Sequence, residues 1–209
     1  MLKRFFFKTI IFLGISLQYL PSIQASSILD KKISEIIDDS SGLLLDAWKN
    51  DDYLKKVYPP QVILLNKKVK VFGGCKSRST KQLKTYTFSG YCGLTNTIYL
   101  LDDDLDFFYE HLKKHGVLLV LTHEWAHALQ HATLSKLTNP KRELQADCLA
   151  GELIKIFDQD IKKEDIDRLS RMAMLMGSNE HGTGEQRKKA LLTGLGELEG
   201  VCLNTESYL

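Results

Sequence analysis

Apolar residues Ile28, Leu29, Ile33, Ile36 and Ile37 recur at helical spacing, so Ser26–Trp48 reads as one or two amphipathic helices with a break near Ser40-Ser41-Gly42. Pro59-Pro60 ends this region. Gln61–Leu65 and Val69–Phe72 read as short strands joined tightly by Asn66-Lys67-Lys68, and Gly73-Gly74 opens a polar loop. Thr97–Leu101 is the next strand, and Asp102–Asp104 supply N-cap candidates for a helix through Lys114. Gly116 is expected to separate that helix from the following one. The segment Val117–Leu129 differs from the rest: Leu118, Leu119, Leu121, Trp125, Ala126, Ala128 and Leu129 make it apolar around most of its circumference, as in a buried helix.

Beyond Asn139-Pro140, where proline suits a first helical turn, Leu144, Ala146, Cys148, Leu149, Leu153 and Ile156 predict another long helix. Ile166–Met176 continues the pattern, with Met172, Met174 and Met176 expected to fill core space. Thr183-Gly184-Glu185-Gln186 is a capping-box pattern that starts a last helix through Leu192. No internal repeat or low-complexity linker interrupts the chain. The expected fold class is α+β, mainly helical with a small sheet, as a single domain over residues 26–209.

The buried helix carries an unusual set of ionisable groups. His123-Glu124-Trp125-Ala126-His127 places two imidazoles four residues apart, on one helical face, where both can reach one ion. Glu124 follows the first of them, close enough to take a proton from a water at that ion. This H-E-x-x-H spacing is the signature of zinc metallopeptidases. The bland alternative makes His123 and His127 core histidines and pairs Glu124 with an arginine. Burying such groups without a partner or a metal is costly, which favours the metal.

A zinc site needs a third protein ligand and an open position. On the next helix Glu143 and Asp147 again share a face, four residues apart. The simplest assignment makes Glu143 the third metal ligand and Asp147 the acceptor for the free N–H of a liganding histidine, which fixes its tautomer. The competing reading is a solvated acidic face. Cys148 is a weaker ligand candidate, because it is offset five residues from Glu143 and faces elsewhere.

His123-Glu124-x-x-His127, Glu143-Leu144-Gln145-Ala146-Asp147-Cys148 and His181-Gly182-Thr183-x-x-Gln186-Arg187 together resemble the neutral zinc metallopeptidase family of bacteria. Gly74-Cys75 and Tyr91-Cys92 followed by Ile98-Tyr99-Leu100 extend the similarity, which runs from about Gly73 to Cys202. The resemblance implies a zincin-like fold, Zn2+ held with Glu143 as third ligand, and peptidase activity. It also singles out His181 and Arg187 as candidate donors to the oxyanion, each with a structural alternative: a turn residue for His181, a partner of Asp147 for Arg187. In zincin folds a sheet edge above the metal helix commonly holds substrate as an added strand, a role open to Thr97–Leu101 beside that of a plain core strand. Gly93 and Trp125-Ala126 depart from the family pattern.

The expected function is that of a zinc-dependent metalloendopeptidase, with Glu124 as general base and a peptide or protein as substrate. A catalytically silent zinc-containing envelope scaffold or binding protein is the alternative, and amide hydrolysis on a cell-wall or small substrate is a third reading.

The N-terminus reads as a secretory signal over residues 1–25: Lys3, Arg4 and Lys8, then an apolar stretch from Ile10 to Leu20, then Ile23-Gln24-Ala25 before Ser26. A secreted or periplasmic location follows, with membrane contact only through an uncleaved segment. The chain holds 28 basic and 26 acidic residues; losing three cations with the signal leaves 25 against 26, and nothing supports a nucleic-acid partner. Four cysteines, all beyond the signal, suit an oxidising compartment. Of the three connectivities, Cys75–Cys92 and Cys148–Cys202 are favoured, the first closing a loop and the second tying the tail to the helix of Glu143.

Overall fold

The computed structural model describes residues 28–65, 72–76, 83–85 and 88–203. The expected signal sequence lies outside them. Six α-helices are present among the described residues: α1 (Ile28–Asn50), α2 (Asp102–Leu112), α3 (Lys114–Ala132), α4 (Lys141–Phe157), α5 (Lys163–Leu175) and α6 (Gly184–Gly194). Five strands accompany them: β1 (Gln61–Leu65), β2 (Phe72–Lys76), β3 (Leu83–Thr85), β4 (Gly90–Cys92) and β5 (Thr97–Leu101). The architecture is α+β and mainly helical, as expected.

α1 runs unbroken through Ser40-Ser41-Gly42. Ile33, Ile37, Leu44 and Trp48 are buried on one stripe that stays in register across the polar triplet, and Ser40 is buried with them. Gly42 sits on the open side, with no atom near where a Cβ would be. Continuous burial of the stripe therefore outweighs the local preference for a break.

The main sheet is mixed, in the order β1-β5-β4, with β1 parallel and β4 antiparallel to β5. The expected connection Asn66-Lys67-Lys68 and the expected strand Val69–Phe72, apart from Phe72, lie outside the described residues; among those described, β1 pairs with β5, distant in sequence, and β2 pairs with β3 in a separate two-stranded sheet. Gly73 and Gly74 lie within β2 rather than opening a loop. β5 is central and buried, so it is a core strand with both edges occupied and cannot accept a further strand.

α2 and α3 meet at Lys113, whose φ of 54° turns the chain, and not at Gly116. Gly116 instead lies in the first turn of α3, where an added Cβ would sit 2.2 Å from Phe108 O. The glycine permits close approach of two helices rather than ending one.

α3 is buried on nearly all sides, between two apolar clusters. Val117, Val120, Leu121, Trp125 and Ala128 pack with α1 and β5, and Trp125 meets Trp48 edge-on at 5.9 Å between ring centroids. Leu118 and Leu119 face the other cluster, formed by α4, α5 and α6. Met172 is buried there and Met176 packs against it, but Met174 is 45% exposed and does not fill the core. α4 and α6 cross with backbone against backbone: a Cβ on Gly151 would lie 2.5 Å from Leu191 O, and one on Gly194 would lie 1.8 Å from Cys148 O. The Cys148–Cys202 disulfide fastens the C-terminal segment to α4 as expected. Cys92 is also disulfide-bonded; the side chain of Cys75, its expected partner, lies outside the described residues.

Candidate metal centre

α3 supplies two imidazoles because residues 123 and 127 stand one turn apart on the same face. α4 packs beside α3 and brings Glu143 to them. Glu143 Oε2 lies 3.2 Å from His127 Nε2 and 3.4 Å from His123 Nε2. His123, His127 and Glu143 thus offer three ligand atoms within 4.8 Å of one another, a group that can hold a metal ion.

The surrounding contacts decide which ring nitrogens are free. His127 Nδ1 is 2.8 Å from Gln130 Oε1. Gln130 Nε2 donates to Arg142 O at 2.8 Å and to Gln145 Oε1 at 3.1 Å, which fixes the amide orientation and leaves its oxygen to accept. His127 therefore carries its proton on Nδ1 and turns Nε2 toward Glu143. His123 Nδ1 lies 3.0 Å from Asp147 Oδ1 and is buried, though off the angle of a hydrogen bond. The facing carboxylate favours a proton there too, so both Nε2 atoms point at the acidic oxygen.

Two lone pairs aimed at a carboxylate repel it unless a cation intervenes. A proton is one such cation. Burial alone pulls the His123 imidazole down, but the facing Asp147 and Glu143 carboxylates outweigh it and hold the ring at about 10. Burial likewise works to raise Glu143, and the two imidazoles overcome it to hold the carboxyl well below the usual range. A metal ion is the alternative, competing for the same atoms. Three buried carboxylates (Glu124, Glu143 and Asp147) against the buried Arg187 and the half-exposed Arg142 leave a negative surplus suited to a cation. The donor set fits a metal.

Asp147 stands beside His123 Nδ1, without the hydrogen-bond angle expected of that contact, and is held there from α6. Arg187 Nε and Nη2 each donate to one of its carboxylate oxygens at 2.7 Å. Burial opposes ionisation of Asp147, and this guanidinium fork prevails and lowers its pKa. Arg187 Nη1 donates to Met176 O at 3.0 Å, so the guanidinium is buried and committed. Arg187 is thus paired with Asp147, the structural alternative considered for it.

Glu124 is buried, and its Oε2 accepts the backbone N–H of Tyr91 in β4 at 2.7 Å. Tyr91 is locked in turn: its hydroxyl lies 2.8 Å from Asn96 Oδ1 and 2.8 Å from His131 Nδ1 on α3. Burial pushes the Tyr91 phenol up to about 12. His181 stands in the turn between α5 and α6, 44% exposed, with Nε2 3.8 Å from Glu143 Oε2. The structure therefore brings His123, His127, Glu143, Asp147, Arg187 and His181 together, with Glu124 alongside.

Sequence reasoning missed Gln130 and the Tyr91 amide. Gln130 could have been found as a polar residue three positions after His127, on the same face of an apolar helix. A backbone donor from another element leaves no such sign. Comparisons with protein-family models, with curated proteins and with solved structures found no match.

Proposed function

We propose that this chain is a zinc-dependent metalloendopeptidase that hydrolyses peptide bonds with water. The observation that carries this reading is the convergence of His123 Nε2, His127 Nε2 and Glu143 Oε2 beside a buried, hydrogen-bonded Glu124. Two neutral imidazoles and a carboxylate are the ligand chemistry of catalytic zinc. The motif resemblance to neutral zinc metallopeptidases, and the secretory character of the N-terminal sequence with a disulfide, support a zinc enzyme acting in the bacterial envelope or outside the cell.

Zinc bound there supplies Lewis acidity, polarising a carbonyl and acidifying water. His127 would turn its lone pair toward the ion because Gln130 accepts from the opposite ring nitrogen, and the Asp147 carboxylate facing His123 Nδ1 favours the same tautomer there. Glu124 takes the proton of the attacking water and delivers it to the leaving amine nitrogen. The Tyr91 amide steers one oxygen of Glu124, leaving the other for that proton. His181 supplies a donor to the oxygen on which negative charge develops.

Glu124→Gln is the direct test. Digestion of a generic peptide library should fall at least a thousandfold, while zinc content, measured on purified protein, stays equal to wild type. A scaffold without turnover binds the same ion and shows no difference between the two proteins. Normal turnover by Glu124→Gln removes the proposed mechanism.

A further inference from the structure

The turn that carries His181 is closed by its own hydrogen bonds. Ser178 N donates to Gly182 O at 2.8 Å. Gly182, with φ of 94°, lies against Leu144, the neighbour of Glu143 on α4. The turn is therefore seated beside the metal ligands rather than hanging free of them.

Within the turn, Ser178 Oγ meets the same residue twice. It accepts the backbone N–H of His181 at 3.1 Å and lies 2.9 Å from His181 Nδ1. A hydroxyl carries a single proton and two acceptor lone pairs. With one lone pair receiving the amide, the hydroxyl keeps its proton free for the ring nitrogen, and the Glu143 carboxylate facing Nε2 at 3.8 Å favours the tautomer that accepts it. A neutral imidazole that accepts at Nδ1 carries its own hydrogen at Nε2. Nε2 is the atom of His181 that faces Glu143 Oε2.

We infer that Ser178 is a positioning residue that holds His181 in the Nε2–H form, so that this third imidazole presents a donor and not a lone pair to the metal centre. A protonated nitrogen cannot coordinate an ion, so His181 does not close the site as a fourth ligand. An ion held by His123, His127 and Glu143 would then keep an open position, which separates a catalytic site from a structural one. The same N–H is then set to stabilise charge on a substrate oxygen; only this last step rests on the hydrolase reading.

The test reads the ring directly. The full chain, labelled with 15N and loaded with Zn2+, is studied by long-range proton–nitrogen correlation at a pH where the His181 ring is neutral. The expected pattern has hydrogen on Nε2 and a bare Nδ1. Ser178→Ala should raise the Nδ1–H form several-fold, and Ser178→Thr should restore the wild-type pattern. A bare Nε2 in wild type, one-bond coupling of Nε2 to 113Cd in cadmium-loaded protein, or an unchanged pattern in Ser178→Ala each overturn the inference. On a peptide library, Ser178→Ala should lower kcat about tenfold at unchanged KM, with rescue by threonine. A shifted ring pattern with unchanged kcat overturns the role of His181 in the reaction. No turnover by wild type overturns the hydrolase reading, while the ring pattern still decides the role of Ser178.

Discussion

Gln130 fixes the His127 ring by accepting from Nδ1, and its own amide is fixed by Arg142 O and Gln145. Gln130→Leu keeps the bulk and removes the acceptor. Zinc affinity, measured by competition with a chromogenic chelator, should fall about 10–100-fold. A second residue-scale test concerns Asp158, whose carboxyl is held low mainly by Lys114 at 2.6 Å and next by His115 at 3.0 Å. A depressed carboxylate contributes stability above its unfolded value near 3.8, and that contribution vanishes as pH falls through the folded value. Asp158→Asn should therefore lower Tm by about 1–3 °C at neutral pH, with the difference closing in acid as the carboxylate is protonated and shrinking in high salt. A gap that persists in acid removes the ion-pair explanation. The candidate ligands and their neighbour were legible from i, i+4 spacing: His123 with His127, and Glu143 with Asp147. The place of Arg187 was legible only as one of two options, because its choice depends on how α6 meets α4.

At the scale of elements, the α2–α3 junction shows where pattern reading reaches its limit. Gly116 looks like a terminator, yet the turn is made by Lys113 and the glycine serves a close helix contact. Gly116→Ala puts a methyl group into the Phe108 carbonyl, so the two helices must separate. Overpacking of this kind typically costs about 1–3 kcal/mol, and thermal unfolding should move down by about 5 °C. An unchanged Tm contradicts the contact. α4 was readable from its apolar spacing, α3 from its nearly unbroken apolar run, and α6 from the Thr183–Gln186 capping box, which is present as expected. The sheet was not readable, because the pairing of β1 with β5 joins residues some 36 apart, and no local pattern encodes it.

For the whole molecule, the donor set joins two helices that also carry the core. An ion held by His123 and His127 on α3 and by Glu143 on α4 binds the folded chain and not the unfolded one. At about a hundredfold excess over its Kd, zinc should add about 2.7 kcal/mol to stability, raising Tm by several degrees over chelator-treated protein. Equal melting with and without zinc contradicts a site shared between α3 and α4. The crossing of α4 and α6 bears on the same assembly. Gly151 and Gly194 leave no space for a side chain, and across that seam Arg187 reaches Asp147. Two residues with no chemistry of their own thereby become positions where no side chain fits without parting α4 from α6. An evolutionary path that enlarged either glycine would lose the support of the first imidazole before it altered any ligand.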